Sequence, residues 1–219
     1  MSFPSKTFGR AARKWIRGWP YICDNEFARA AMATMYDRLR RRELIVNPYL
    51  IYGVSPNHVT RALTTKSYNN RRCFDYQHPG DWDLRTVKIR DMRVFLGLYQ
   101  RFVQQQPWKE NVLAPHNMVS VDWPEPRKYI AFNDEQFLAR AKALDSLWES
   151  LNKNGNMKSG ATEFSDLLNV AIGRDGKLIR ICSGLHRLIM SQFIGLNAVP
   201  VRISIIHEKC QRPRQLLEL

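Results

Sequence analysis

The chain is short of acidic side chains. Against 34 Lys and Arg stand 20 Asp and Glu, a formal net charge of +14 over 219 residues. A surplus of that size points to an anionic partner such as nucleic acid, a phosphorylated ligand or an anionic membrane. Long apolar runs are missing as well. Nothing approaches the roughly 18 apolar residues of a spanning helix, and the N-terminus has no apolar stretch of the secretory kind, so a cytoplasmic protein is expected. Cysteine is sparse. Cys23, Cys73, Cys182 and Cys210 are far apart with no Cys-x-x-Cys pair, which excludes a zinc ribbon and a disulfide scaffold and leaves reduced thiols as the expectation.

What is present is an ordinary folding composition, 44% hydrophobic and 25% charged, in a chain long enough to bury a sizeable core. The basic residues are unevenly placed. Residues 1 to 42 hold ten Lys or Arg against Asp24, Glu26 and Asp37, a net +7. Within residues 5–19, Phe8, Ala12, Trp15 and Trp19 recur at steps of 4, 3 and 4 with Arg10, Arg13, Lys14 and Arg17 elsewhere on the wheel. This is a cationic amphipathic helix. It suits an anionic membrane surface, and so peripheral attachment at the inner membrane; the alternative is that its tryptophans pack on the protein's own body. A second helix is expected from about Asp24 to Arg42, where Arg40, Arg41 and Arg42 at the carboxyl end favour the helix dipole.

Residues 45–209 carry the main domain, with residues 1–44 as a basic helical extension and 210–219 as a tail. "ELIVNPYLIYGVSP" reads as a strand closed by a turn, and residues 64 to 83 as loop until "LRTVKI" resumes strand alternation. A helix follows, with Val94, Leu98, Tyr99 and Phe102 at helical spacing. Residues 106–132 are rich in proline and aromatics and read as an ordered insertion. The clearest helix is 134 to 152. Phe137, Ala141, Leu144, Trp148 and Leu151 form its core stripe, Asn133 and Gln136 its capping box, and Gly155 its stop.

"LLNVAIG", "RDG" and "KLIRIC" then spell strand, tight turn and strand, with a structural role for Asp175. The second strand runs into Ser183-Gly184-Leu185-His186-Arg187, followed by a helix face at Leu188, Ile189 and Phe193, a stop at Gly195, and the strand "AVPVRISII". A helix that starts at a glycine turn directs unpaired N–H groups and a positive dipole end outward, where an anion can sit. His186 and Arg187 in that first turn oppose the dipole unless an anion is present. The alternative is a buried, hydrogen-bonded His186 with Arg187 paired to a carboxylate.

The pattern "IGRDGKLI…SGLHRL…GLNAVPVRI" resembles the ParB/sulfiredoxin fold, in which a turn of this kind at a helix start cradles nucleotide phosphates. "NPYLIYGVSPNHV" and "PGDWDLRTVKI" extend the likeness to a subgroup with a Gly-Asp-Trp-Asp motif, often thought of with polysaccharide gene clusters. Together these imply an α+β fold, a small mixed sheet with packed helices. Members of the wider fold include CTP- and DNA-binding partition proteins, ATP-using sulfiredoxins and free-serine kinases. Leu185 stands where sulfiredoxin requires cysteine, and only "EKCQRPRQLLEL" follows the last strand where partition proteins carry a DNA-binding region. Sequence-specific DNA is therefore not the expected partner.

The resemblance leaves a nucleotide-dependent phosphotransferase, kinase-like and using ATP or another nucleotide with Mg2+, that acts on a small molecule or glycan precursor. Ser183, Gly184, His186 and Arg187 would hold phosphates, with Arg174 as a further candidate. Asp81 and Asp83 would bind the metal or accept the acceptor's proton, with His186 as a third catalytic candidate, because phosphoryl transfer needs charge neutralisation and a carboxylate to orient the attacking hydroxyl. Glu163 and Asp166 are secondary acids. The alternatives are a non-catalytic nucleotide-binding or regulatory module, a nucleic-acid-binding protein or nuclease motivated by the charge, and a metal pair at His207 and Cys210.

Overall fold

The computed structural model describes residues 50–63, 77–115, 134–154, 167–181 and 183–210. Its strands are β1 (Tyr52–Val54), β2 (Arg61–Leu63), β3 (Gln77–His78), β4 (Thr86–Lys88), β5 (Leu168–Ile172), β6 (Leu178–Arg180) and β7 (Val199–His207). The α-helices among the described residues are α1 (Arg93–Phe102), α2 (Asp134–Asn154) and α3 (Leu185–Ile194). The α+β class is as expected. One mixed sheet runs in the order β1-β7-β5-β6-β2-β4. β1 and β3 share the outer edge of β7: β1 pairs with Val199–Val201, and β3 with Ile206 and His207. The segment from 64 to 83 is thus not all loop, since β3 lies in it and Trp82–Leu84 forms a 3₁₀ turn.

β5 is buried along its whole length because both faces of the sheet are covered, which is why it reads as an unbroken apolar run. On one face Leu168, Val170, Ile172, Leu178, Val201 and Ile203 meet the apolar sides of the three helices. On the other, Leu63, Ala171, Ile179, Ile181 and Ile205 lie under Trp82. A register shift between Val170 and Ala171 places Ile203 and Ile205 opposite consecutive residues of β5. The extra residue, Ser204, is buried, and its hydroxyl donates to Asn169 Oδ1 at 3.0 Å. The bulge therefore carries its own polar partner.

The stripe foreseen on α2 is the observed one: Phe137, Ala141, Leu144 and Leu151 are buried, and Trp148 packs against the core. Trp148 stacks on Phe102 of α1, with centroids 4.6 Å apart and planes at 13°. Asp145 of α2 accepts a forked pair of hydrogen bonds from Arg101 at 2.9 and 3.2 Å. The Trp108 indole N–H reaches the same carboxylate. The early part of the insertion is thereby clamped between α1 and α2. Tyr99 departs from its expected place in the core stripe of α1 and is 38% exposed, because it sits about 100° round the helix from buried Leu98.

The hairpin joining β5 to β6 closes with Gly173 N–H donating to Lys177 O, and Asp175 accepts from Lys177 N–H at 3.1 Å. Burial works to raise the Asp175 carboxyl, but that N–H and the Lys177 ammonium hold it below its ordinary value. Asp175 is a turn residue, as expected. The helices at 5–19 and 24–42, Asn133, residues 116–132, Gly155, Glu163, Asp166, Cys182 and the tail 211–219 lie outside the described residues. Among the described residues no helix is long and apolar enough to cross a membrane.

Candidate functional site

The expected strand-turn-helix is present. Gly184 is the N-cap of α3 with φ 79 and ψ 11, left-handed backbone. A Cβ there would lie 3.0 Å from Leu168 Cα. Conformation and close packing on β5 both demand glycine. Gly195 ends the helix in the same left-handed form.

Ser183 has a different role from the one expected. Its hydroxyl donates to Leu167 O at 2.8 Å and accepts from Asn169 Nδ2 at 2.7 Å. A serine has one proton to donate, and here the carbonyl of Leu167, just before β5, takes it. Ser183 ties the turn to the start of β5 rather than offering a donor to phosphate.

His186 is buried in the first turn of α3. Burial first, and then the Arg140 and Arg180 guanidiniums, push its pKa down to about 3. The imidazole is neutral at physiological pH. Arg140 Nη2 lies 3.2 Å from Nδ1, and because arginine only donates, Nδ1 accepts and the proton sits on Nε2. His186 is therefore not a cation for phosphate, and Nδ1 is occupied as a base. The positive charge at this corner comes from Arg140 on α2 and Arg180 at the end of β6, with Arg187 half-buried in the same turn. Sequence reading passed over Arg140 and Arg180: one lies on the polar side of α2, the other in strand alternation, and neither carries a local motif.

The second half of the expected site lies elsewhere. Arg174, just past β5, donates through Nε to Asp83 Oδ1 and Oδ2 at 3.1 and 2.9 Å, and through Nη2 to Asp83 at 2.8 Å and Asp81 at 2.6 Å. Its backbone N–H adds a bond to Asp83 Oδ2 at 2.9 Å. Gly80 O accepts from Arg174 at 3.0 Å and from His207 Nε2 at 2.7 Å, while His207 Nδ1 accepts from Lys209 N–H. Hydrogen bonds from Arg174 are the main reason the exposed Asp81 carboxyl falls below its usual range. For Asp83, burial raises the pKa, but the Arg174 bonds and nearby His207 outweigh it, so this carboxyl too is depressed. Arg174 is raised in turn by both acids.

Here Arg174, rather than a metal ion, is bonded to both oxygens of Asp83 and to Oδ1 of Asp81. Arg174 is committed through Nε and Nη2 to these acids and to Gly80 O. His207 has both ring nitrogens engaged, which removes the proposed pairing with Cys210 for a metal. The cluster also sits apart from the glycine turn. Gly184 packs on Leu168 at the start of β5, whereas Arg174 follows its end. The intervening strand is on the order of 15 Å at about 3.3 Å per residue. Trp82, between the two acids, covers the sheet face opposite α3. The structure does not bring Asp81 and Asp83 to the phosphate turn.

Fold and site together define an α+β protein with a basic, glycine-started helix corner at the root of a hairpin and a paired acid-arginine cluster at its tip. No family model, curated protein or solved structure matches the chain.

Proposed function

We propose that this protein is a nucleotide-binding protein of the ParB/sulfiredoxin kind, seating phosphates at the N-terminal corner of α3. One observation carries the reading: Arg140 Nη2 lies 3.2 Å from Nδ1 of His186 in the first turn of α3, and Arg180 is near enough to add to the lowering of a pKa that burial chiefly depresses. Both lie beside the positive end of a helix dipole. Stability alone favours acidic groups at a helix start, and the same placement of guanidiniums and dipole favours a bound oxyanion. The glycine turn fits the same ligand, since its left-handed backbone starts α3 without a side-chain cap on the first-turn N–H groups.

Binding is better supported than transfer. A phosphotransferase acting on a small molecule or glycan precursor needs a carboxylate beside the phosphates, and Asp81 and Asp83 are tied to Arg174 at the far end of β5. The test is calorimetric titration of the full chain with ATP, ADP and CTP, with and without Mg2+. We expect binding that Arg140→Gln weakens about tenfold, the value of one charge-assisted hydrogen bond. No nucleotide binding, or equal binding by the variant, overturns the reading. Phosphate transfer to a panel of sugars and amino acids, unaffected by Asp83→Asn, would extend it to catalysis with another acid.

A further inference from the structure

A cleft of about 720 Å³ opens between the β2–β4 pair and the faces of α1 and α3, within the size range of small-ligand sites. One wall carries Arg61, Lys88 and Arg90; the other carries Phe95, Tyr99 and Phe193. Among the described residues, no Asp or Glu lines it. Arg61 and Lys88 are directly opposed across the antiparallel β2–β4 pair. Like charges in that position destabilise a sheet. Arg90 adds a third cation two residues on, and none of the three makes an ion pair within the described residues. A fold selected only for stability would place a carboxylate among them.

The aromatic wall is built rather than accidental. Phe193 meets Phe95 edge-on at 5.1 Å and Tyr99 at 5.9 Å. Gln192, also lining the cleft, is held by Pro56 O at 2.8 Å and Val59 O at 3.2 Å, which anchors α3 to the β1–β2 connection. Tyr99 is 38% exposed although it sits at the edge of an apolar helix stripe. Cations facing aromatics across a cleft suit a ligand with a phosphate at one end and a flat ring at the other.

We propose that this cleft is a second ligand site, separate from the corner of α3, that takes a nucleotide unit with its phosphate on Arg61, Lys88 and Arg90 and its base against Tyr99 and Phe193. A free mononucleotide and one unit of a single strand share this chemistry.

The probe is 5′-AMP titrated into the full chain at low salt, followed by calorimetry and by the aromatic proton resonances of Tyr99 and Phe193. We expect those resonances to move, and adenosine or inorganic phosphate alone to bind at least tenfold more weakly than AMP. The exposed double substitution Lys88→Gln and Arg90→Gln should weaken AMP at least tenfold, while Lys142→Gln, a single charge removed from the exposed side of α2, should not. Competition by a short single-stranded oligonucleotide below the AMP concentration assigns the site to a strand; its failure assigns it to free nucleotide. Equal AMP binding by the double variant, or a phosphate response equal to that of AMP, overturns the proposal. Its failure is distinct from failure at the corner of α3, which is read on nucleoside triphosphates and Arg140→Gln.

Discussion

The two ends of β5 treat charge in opposite ways. At the hairpin tip, Arg174 meets Asp83 and Asp81, a side-chain hydrogen bond from His207 goes to the same loop, and positive is matched by negative. At the hairpin root, Arg140 and Arg180 gather at a helix start around an imidazole that stays neutral. The first pattern holds a fold together. The second gathers cations at a helix start, the place where the proposed ligand would sit. Arg and His occur at both ends.

The contrast is sharpest under acid. His186 is protonated at about 6.5 in the unfolded chain but only at about 3 in the folded one. Between those values the unfolded state binds the extra proton, so stability falls as pH falls, by up to about 1.4 kcal/mol per unit. Chemical denaturation should show a loss of roughly 3 kcal/mol between pH 6.5 and 4, and His186→Gln should flatten the slope. The tip behaves differently. Asp83 has a depressed pKa, so its contribution is intact above its unfolded value near 3.8 and is lost only below it. An unaltered slope in the His186 variant would erase the distinction.

Next in size is Gly184→Ala. The left-handed backbone and the 3.0 Å approach to Leu168 Cα together cost about 2 kcal/mol, read as a shift in the urea midpoint. Nucleotide binding at the corner should weaken with it. A neutral effect on both would remove glycine's role in the turn.

The smallest effects lie at the tip. Asp83→Asn should lower stability by about 1.5 kcal/mol, less than a fully buried pair because Arg174 is 27% exposed. Asp81→Asn should leave the midpoint unchanged, since that side chain is 70% exposed. Neither should alter nucleotide affinity. A loss of affinity in Asp83→Asn would restore this acid to the binding site and break the separation of the two ends.

How much was readable in advance follows from interaction range. α2, the β5–β6 hairpin and the start of α3 were legible because each is written in neighbouring residues: a 3.6-residue stripe, an Asp-Gly turn, a glycine before an apolar face. The partnership of Asp83 with Arg174 spans 91 residues, and the meeting of Arg140 with His186 spans 46. No local period reports such pairs. Ser183 misled because a hydroxyl beside a glycine turn looks like a phosphate donor until Leu167 O is found to take its proton.

Taken alone, the order of residues determined the basic character, the α+β composition and the glycine-started helix, because hydrophobic period, net charge and left-handed backbone are properties of short stretches. Tertiary structure decided which charges cancel. It sent Asp81 and Asp83 to Arg174 rather than to the phosphate turn, and it brought Arg140 and Arg180 to the start of α3, because electrostatic pairing depends on distances that only packing creates.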